Sequence, residues 1–505
     1  MAIPKKAVLG ALWSISTGFG ARAVTLAATL LITRFLSPEV YGEVSLASVI
    51  VLTAHTASSF GLGQYVVAKQ TPRGVTAQAT WLYVAIGLVA FGLIVLVREP
   101  LSAFFGTPGS AQYLPWLAVA AALDRVAFMP ERVMYRDMRF RTASIARSLG
   151  EVVFGVGCVA FAAAGYGGDA IVIGTFMRSI LKLGIDLVVV DRREWLAPPR
   201  LERAQVRDFF RFGVPLTIAS ISEFGSRRWD NLLMSRLFGP AVAGMYNYAY
   251  NLADIPATQI GESIGDVLVP SFAEMDAPRR KAALLRSITL VTLIVGPLAL
   301  GLGAVAPTLV RSVFDARWEP MWRMLAILSV LSVVRPVAWI VAPYLQVYDK
   351  PGTMMRLEVS KTALLLVSIV VLGRIGGPLL ACAAPGVAFS VNAVANLFVV
   401  RQMEGVPVRR TLGPLVPPLL ACAPMVAAVV AVRHLLAAAG HLPRFAGLGI
   451  EVTSGAIAFV ASAFVIARAA TRDLLGLLRG AARRGRPAAP PDPEAPEPAE
   501  QEEAA

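Results

Sequence analysis

Long apolar stretches separated by short polar segments recur along the whole chain. Each is close to the roughly 20 residues that an α-helix needs to cross a bilayer. Helices are expected because open backbone cannot be satisfied in hydrocarbon, and the alternating segments of a membrane β-barrel are absent. The pattern predicts an all-α, polytopic membrane protein with about 14 transmembrane helices. Their expected positions are 8–35, 43–67, 78–97, 112–135, 143–164, 168–190, 212–237, 241–269, 284–313, 321–347, 354–373, 378–400, 411–437 and 447–469.

One phrase of the sequence occurs twice. LITRFLSPEVYGEVSLA at 31–47 aligns with LMSRLFGPAVAGMYNYA at 233–249, and both copies carry the same Pro-x-x-x-Gly spacing. Such a match, with apolar flanks on both sides, indicates an internal duplication. An even number of expected helices separates the copies, so both copies should enter the membrane from the same side. This predicts two six-helix lobes related by a pseudo-two-fold axis along the membrane normal.

The domain boundaries follow from the repeat and from two changes in composition. Residues 191–211 alternate arginines with apolar residues, as an amphipathic helix at a membrane surface does. The C-terminus is rich in Pro, Ala and Glu, the composition of a disordered segment. The expected order is an N-lobe of helices 1–6 (1–190), a cytoplasmic amphipathic linker (191–211), a C-lobe of helices 7–12 (212–400), helices 13–14 (401–470) and a disordered cytoplasmic tail (471–505).

Charge adds an orientation to this picture. The chain has 505 residues, of which 56% are hydrophobic and 16% charged, and its formal net charge is +14. The positive charges gather in alternate loops, so the positive-inside rule explains them without a nucleic-acid partner. Both termini are therefore expected in the cytoplasm. All three cysteines lie inside apolar runs, which favours neither a disulfide framework nor a metal site.

Signatures of soluble-enzyme chemistry do not emerge from the sequence. No lysine follows a glycine, so there is no Walker A loop. The histidines His55, His434 and His441 are too far apart for a zinc-binding spacing. The outward loops are too short for an external catalytic domain. We therefore expect a protein that is not an enzyme and that holds no metal and no cofactor.

Charged residues inside the predicted helices are the candidates for function, because each costs at least about a few kcal/mol at the bilayer centre unless it faces a cavity or a partner. In helix 1, residues spaced by three and four define one small, polar face around Arg22. This face comprises Ser14, Gly18, Arg22, Thr25, Thr29 and Thr33. The repeat places Ser220, Phe224, Arg227, Asn231 and Ser235 on the matching face of helix 7, with Glu223 and Asp230 beside it. Other polar positions are Arg125 in helix 4, Arg178 in helix 6, Asn247 and Asp254 in helix 8, and Arg335 in helix 10.

These charges allow two interpretations. In the first, they pair within the bundle, for example Asp124 with a neighbouring arginine or Glu223 with Arg227. The residues near helix ends that could reach the membrane surface are Glu131, Arg132, Lys182 and Asp186. In the second, the charges line a water-filled cavity between the lobes. The second is favoured for Arg22 and Arg227, which recur at near-equivalent places, and a basic cavity suits an anionic group such as phosphate.

Several stretches carry a family resemblance. Helix 1 begins with Trp-Ser and ends in L-x-x-R-F-L-S-P-E-x-Y-G. Further stretches are YRDMRFRTASIARS (135–148), FFRFGVPLTIAS (209–220), VLVPSFAEMD (267–276), VRSVFDARWEPMWRMLAILS (310–329) and VYDKPG (347–352). Over about residues 7–470 the chain resembles bacterial oligosaccharide flippases, the Wzx-like polysaccharide-transporter branch of the multidrug/oligosaccharidyl-lipid/polysaccharide exporter superfamily.

The resemblance implies a flippase of the bacterial inner membrane. Such a protein moves a polyprenyl-pyrophosphate-linked oligosaccharide, such as an exopolysaccharide or O-antigen repeat unit, through a basic central cavity by alternating access, with the lipid tail along helices 13–14. Implied partners are this lipid-linked oligosaccharide, membrane lipids, and a glycan polymerase with its chain-length machinery. The expected substrate-binding residues are Arg22, Arg227, Arg125, Arg178, Arg335, Thr25, Thr29, Asn231 and Asn247. The candidates for coupling to a proton or sodium gradient are Glu223 and Asp254.

Other functions remain open at this point. A multidrug/cation antiporter of the same fold would need an acidic cavity for its cationic substrates, and the excess of basic residues in this chain disfavours such a cavity. A polytopic glycan polymerase or ligase would act on the same lipid-linked substrate but would normally need a large periplasmic loop. A purely structural bundle is disfavoured by the duplicated polar faces.

Overall fold

The computed structural model describes residues 24–25, 27–137, 139–198, 202–254, 272, 275–347, 351–405, 407–439 and 443–484. Within these residues all regular structure is helical. The prediction of an all-α fold is thereby confirmed. Arg22 lies outside the described residues.

The N-terminal half contains eight helices within its described residues. They are α1 (24–25 and 27–32), α2 (Pro38–Ala57), α3 (Leu62–Ala68), α4 (Arg73–Leu96), α5 (Arg98–Phe104), α6 (Leu114–Arg136), α7 (Phe140–Ala163) and α8 (Asp169–Val189). A turn joins α1 to α2, as the sequence predicts. The hydroxyl of Ser37 caps α2 by accepting a hydrogen bond from the Val40 amide at 3.3 Å, and Pro38 occupies the first turn. Left-handed backbone at Phe60 and Gly61 separates α2 from α3.

The described part of the C-terminal half contains eleven α-helices. They are α9 (Arg203–Phe238), α10 (240–254), α11 (Ala277–Val313), α12 (Met321–Leu331), α13 (Arg335–Val347), α14 (Pro351–Ala381), α15 (Ala384–Glu404), α16 (Val408–Leu412), α17 (Val416–Ala439), α18 (Arg444–Ile466) and α19 (Arg468–Arg484). The longest of them are α9, α11 and α14. A 3₁₀ turn, Ser332–Val334, divides the predicted helix 321–347 and places Arg335 at the start of α13. Non-helical backbone at Gly376 and Gly377 bends α14 near its end.

The chain is a multi-pass membrane protein. Among the described residues, nine helical segments are long and apolar enough to cross a membrane. They start at Pro38, Arg73, Arg141, Pro278, Met321, Gly352, Ala384, Val416 and Phe445. The total of about 14 spans stays a prediction that rests on the length of the apolar runs.

Two segments between and after the lobes differ from the sequence prediction. Part of the predicted linker, from Arg203 onward, is continuous with the membrane helix that follows it in α9. The helix continues through Gly213 and Pro215, so the amphipathic turns extend the longer helix. After residue 470, where disorder was predicted, α19 continues to Arg484. Its leucines recur at helical spacing, and Arg286 of α11 forms an ion pair with Asp473.

The two copies of the repeated phrase pack against each other. A Cβ atom on Gly42 would lie 2.0 Å from the carbonyl oxygen of Pro240, and one on Gly244 would lie 2.0 Å from that of Pro38. Only glycine permits so close an approach of two backbones. The contact is reciprocal, as expected for equivalent elements related by a two-fold axis. We call this contact, formed by 38–42 and 240–244, the inter-lobe seam.

The C-terminal half also holds the end of α1. The indole nitrogen of Trp318 donates to the carbonyl oxygens of Thr33 and Leu36, both at 3.1 Å, and Trp318 is fully buried. Trp318 lies just after the loop residue Asp315, whose carboxylate accepts hydrogen bonds from Arg317. These bonds lower the pKa of the Asp315 carboxyl. The two halves are thus joined beside the seam by hydrogen bonds as well as by packing.

Candidate functional site

Three polar cavities contain residues that the sequence singles out. An inter-lobe cavity of about 240 Å³ lies between α1, α2, α7, α9 and α10. A C-lobe cavity of about 160 Å³ lies between α9, α10, α13, α14 and α15. An N-lobe cavity of about 260 Å³ lies between α2, α6, α7 and α8. The predicted site residues are therefore divided among three cavities with different surroundings.

The described lining of the inter-lobe cavity includes several polar side chains and no acidic residue. Its polar side chains come from both halves of the chain. They are Thr29, Tyr41, Ser45, Ser48, Arg228, Asn247, Tyr248 and Asn251. Hydroxyl and amide groups of this kind donate and accept hydrogen bonds, as sugar hydroxyls require. Of the predicted sugar-binding residues, Thr29 and Asn247 therefore lie in this cavity.

A chain of amide hydrogen bonds crosses the wall of this cavity. Asn247 Nδ2 donates to Asn231 Oδ1 at 2.9 Å, and Asn251 Nδ2 donates to Asn247 Oδ1 at 2.7 Å. The hydroxyl of Tyr41, from the other lobe, donates to the same Asn247 oxygen at 3.2 Å. Asn231 is buried behind Asn247 and supports it. The network fixes the orientation of Asn247 at the cavity surface.

Arg228 is the cation of the inter-lobe cavity. Its side chain is partly buried and makes no hydrogen bond or ion pair with the residues that the structure describes. Asp230 is the nearby carboxylate, but its oxygens accept from the Tyr246 hydroxyl at 2.7 Å and from the Asn231 amide at 2.8 Å. A partly buried guanidinium that keeps its donors available is the group expected at an anion-binding site.

Threonines on α1 complete the described part of the first predicted stripe. Thr29 Oγ1 donates to the Thr25 carbonyl oxygen at 2.7 Å, and the Thr29 carbonyl accepts from the Tyr248 hydroxyl at 2.8 Å. Thr25 lies one turn closer to Arg22, which is outside the described residues. The role of Arg22 consequently stays a prediction.

The C-lobe cavity gathers Arg227, Asp254 and Arg335, which the sequence could not place together. Arg335 forms an ion pair with Asp254 and donates to the Tyr250 hydroxyl at 3.2 Å. Arg227 pairs with Glu223 at 3.3 Å across one helical turn, and half of its side chain remains exposed. This contact within α9 is the Glu223–Arg227 pair that the first interpretation names, and both side chains remain at least half exposed. Both predicted coupling residues, Glu223 and Asp254, are therefore paired with arginines.

Arg178 lies in the N-lobe cavity among acidic residues. Its guanidinium is 3.7 Å from Asp124 and 3.5 Å from Glu151, and it stacks on Phe154. Asp124 thus has the arginine partner that the first interpretation predicts. Arg178 binds within its own lobe and is absent from the described lining of the inter-lobe cavity.

Arg125 serves the packing of the N-lobe. It is fully buried and donates to the carbonyl oxygens of Tyr83 at 2.8 Å, His55 at 3.2 Å and Ser58 at 2.5 Å. Its guanidinium also lies 3.9 Å from the centre of the Tyr83 ring. A Cβ atom on Gly87 would overlap the Arg125 side chain, so α4 leaves the space that this arginine fills. Its donors are occupied, and we leave it out of the proposed binding site.

The residues near helix ends are less exposed than the sequence suggests. Glu131 is buried and bound by Lys182 at 2.7 Å and Arg147 at 2.8 Å. Asp186 is also fully buried. The expectation that Glu131, Lys182 and Asp186 reach the membrane surface is wrong, because α6, α7 and α8 pack these side chains against each other.

Sequence reasoning missed Arg228. The repeat aligned Arg227 with the polar face of helix 1, and only one of two adjacent arginines can occupy a given face of a helix. Arg228 precedes Asn231 by three residues, the other spacing that shares a face. The spacing of Arg228 and Asn231 could have indicated that Arg228 shares the polar face. The sequence does not indicate which of the two arginines forms an ion pair.

The comparison with known families settles the classification. A family model described as "Polysaccharide biosynthesis protein" matches residues 31–323. The chain belongs to this polysaccharide biosynthesis family. The matched region begins at the end of α1 and ends in the first turn of α12, so it includes the inter-lobe seam and most of the residues that line the inter-lobe cavity. The resemblance noted from the sequence motifs is confirmed.

Individual relatives agree with this family. The chain is 26% identical over 486 residues to the succinoglycan biosynthesis transport protein ExoT of Rhizobium meliloti (strain 1021), covering 94% of this chain and 96% of that protein. It is 24% identical over 386 residues to the lipopolysaccharide biosynthesis protein WzxC of Escherichia coli (strain K12), covering 75% and 77%. A solved structure of the lipid II flippase MurJ in an inward closed conformation matches with a TM-score of 0.73 at 15% identity, covering 92% and 99%. This last match shows the fold.

Proposed function

We propose that the chain is a flippase that moves a polyprenyl-pyrophosphate-linked oligosaccharide across the bacterial inner membrane by alternating access. The observation that carries the proposal is Arg228, a cation without a described partner, in a polar cavity built from both lobes. A pyrophosphate bearing sugars cannot enter hydrocarbon, because burying its charge costs far too much without a partner. Arg228 and Arg22 supply that partner, while Thr25, Thr29 and Asn247 meet the sugars.

The size of the inter-lobe cavity supports a mechanism in which the lobes separate. Pockets for drug-sized ligands hold roughly 300–1,000 Å³. The inter-lobe cavity holds about 240 Å³, which is too small for a pyrophosphate with several sugars. The lobes must therefore move apart to admit the head group, and the inter-lobe seam is the contact that opens on one side. The lipid tail stays in the bilayer beside α17 and α18, which are among the least buried of the described candidate spans.

The proposal also covers the membrane orientation of the chain, its partners and the energy source for transport. No bond is broken, so the chain is not an enzyme. Both termini lie in the cytoplasm, in agreement with the distribution of positive loops. A glycan polymerase and its chain-length machinery use the product on the far side of the membrane. A proton or sodium gradient drives the cycle, with Glu223 and Asp254 as the coupling residues of the C-lobe.

Substituting Arg228 tests the proposal in a bacterium whose own copy of the gene is deleted. We expect Arg228→Ala to reduce exported polysaccharide at least tenfold and to leave the lipid-linked repeat unit accumulating in the membrane fraction. Arg228→Lys should rescue only in part, because an ammonium cannot form the two parallel hydrogen bonds of a guanidinium. Arg311→Ala, which removes an exposed arginine paired with Glu319, is the matched control and should export normally.

Exported polysaccharide is compared at equal protein amounts in the membrane. Normal export by Arg228→Ala would remove this residue from the substrate path. Resistance to cationic drugs that depends on the chain, with unchanged glycan export, would favour the antiporter instead.

A further inference from the structure

One buried carboxyl group in the N-lobe has no partner. Asp186 lies in the last turn of α8 and is 0% exposed. Among the described residues, neither of its carboxyl oxygens has a hydrogen-bond partner. The helices α6 and α7 pack against α8 and remove this turn from solvent. An ionised carboxylate in such a place costs so much free energy that the group takes up a proton instead.

The cations nearest to Asp186 are already engaged by another carboxylate. Lys182, one turn earlier on α8, lies 2.7 Å from Glu131 Oε2. Arg147 of α7 lies 2.8 Å from Glu131 Oε1. Glu131 therefore holds both cations, and Asp186 holds none. Two carboxyl groups in one cluster differ in this way when only one of them is ionised.

The other charged groups around this cluster do not pair with Asp186 within the described residues. Arg178 on α8 pairs with Asp124 of α6 and Glu151 of α7. The Tyr135 hydroxyl donates to Glu131. The further titratable groups facing the cluster are Arg132, stacked on Phe128; Arg139, which donates to the Val189 carbonyl; and His55, which lines the N-lobe cavity. None of them forms an ion pair with Asp186 in the described part of the chain.

The geometry of α8 makes Lys182 available to both carboxyl groups. Residues four apart lie on the same helix face, so Lys182 can reach Asp186 as well as Glu131. Lys182 also lines the N-lobe cavity, about one helical turn from Asp186. The Ser179 hydroxyl, on the same face and fully buried, likewise has no hydrogen-bond partner. A polar stripe with unused hydrogen-bonding capacity therefore runs from the cavity to Asp186.

We propose that Asp186 is a proton-binding site of the N-lobe, protonated in this conformation, with Lys182 as the group that responds to its charge. On release, the carboxyl O–H bond breaks, the electron pair stays on the carboxylate, and the proton passes to water of the N-lobe cavity. The new carboxylate then attracts Lys182 away from Glu131. Since Lys182 ties α8 to α6 through Glu131, proton release loosens the contact between these helices. The site is separate from the C-lobe residues Glu223 and Asp254.

The proton site does not depend on the identity of the transported molecule. It is a property of the protein alone and can be measured without substrate. A failure of glycan export in Arg228→Ala would leave it untouched, and its own failure would leave the proposed function untouched.

Infrared spectroscopy of the full-length protein in lipid nanodiscs tests the proposal. We expect a carbonyl stretching band of a protonated carboxyl group at neutral pH. Isotopic labelling of the aspartate carboxyl carbons should shift this band, whereas labelling of glutamate should leave it in place. This arm needs no variant and so does not depend on the folding of a mutant.

Variants then assign the band to one residue. Asp186→Asn should abolish it, because asparagine has the same shape but no carboxyl group. Asp124→Asn and Glu151→Gln, which alter the partners of Arg178, should leave it intact. A wild-type protein without the band, or a band that persists in Asp186→Asn, would overturn the proposal.

Discussion

At the scale of single residues, the charges inside the membrane differ in whether they are satisfied. Arg335 is paired with Asp254, and the donors of Arg125 are hydrogen-bonded to main-chain carbonyls. Arg228 faces the inter-lobe cavity without such a partner in the described chain. Satisfied charges stabilise a bundle, whereas an available one can bind a ligand. The sequence identifies all of these charges, but their partners come from other helices and are set by packing.

Arg125 gives a prediction about stability. Arg125→Met should destabilise the protein by about 3 kcal/mol, since it removes the buried charge-assisted hydrogen bonds of Arg125 to α2 and α4. Thermal unfolding of the purified protein in detergent measures this change. Arg311→Met, at an exposed position in the last turn of α11, should unfold like the wild type. An unaltered unfolding temperature in Arg125→Met, with export lost, would instead place Arg125 in the substrate path.

At the scale of elements, the Pro-x-x-x-Gly phrase acts as a contact between halves. The sequence identifies the repeat and correctly predicts a turn between the first two helices. It does not reveal that the two copies meet, because the contact joins residues far apart in the chain. The glycines Gly42 and Gly244 are required by the close approach of the backbones.

Widening the seam should shift the lobes. A Cβ atom on Gly42 would lie 2.0 Å from the Pro240 carbonyl oxygen, so Gly42→Ala should force the two backbones apart. Spin labels at Glu99, which is largely exposed, and at Glu319, which is about half exposed, report the distance between the halves. We expect a longer mean distance and reduced export in this variant.

The matched control is Gly92→Ala in α4, where a Cβ atom would meet nothing within 4 Å. It should keep the wild-type distance distribution. The native cysteines Cys158, Cys382 and Cys422 are buried, which favours selective labelling of the introduced sites. An unchanged distance in Gly42→Ala would mean that the seam does not hold the lobes together.

The ends of helices can be predicted from the sequence only where a local signal, such as a capping residue, marks them. Ser37 and Pro38 mark the start of α2 through capping. The fusion of the linker into α9 and the extension of α19 have no such marker, because amphipathic helical spacing fits a surface helix and a continued helix equally well. The same holds for Asp186, whose burial depends on how α6 and α7 lie against α8.

At the scale of the whole molecule, hydropathy and duplication were enough for the all-α membrane fold, and motifs were enough for the family. Thr29 and Asn247 lie in the inter-lobe cavity as the polar stripes suggest. The division of the charges among three cavities required the three-dimensional structure. A cavity between lobes depends on contacts such as the seam, which join residues from opposite halves.

The central claim is that the head group of the lipid-linked oligosaccharide crosses the membrane through the inter-lobe cavity and binds Arg228 there. The most direct measurement uses intact spheroplasts and a membrane-impermeant oxidant of sugar diols, such as periodate. It gives the fraction of polyprenyl-pyrophosphate-linked oligosaccharide that has reached the outer face. We expect this fraction in Arg228→Ala to fall to that of cells lacking the protein, with Arg311→Ala at the wild-type level. A wild-type fraction in Arg228→Ala, at equal protein amounts, would contradict the claim.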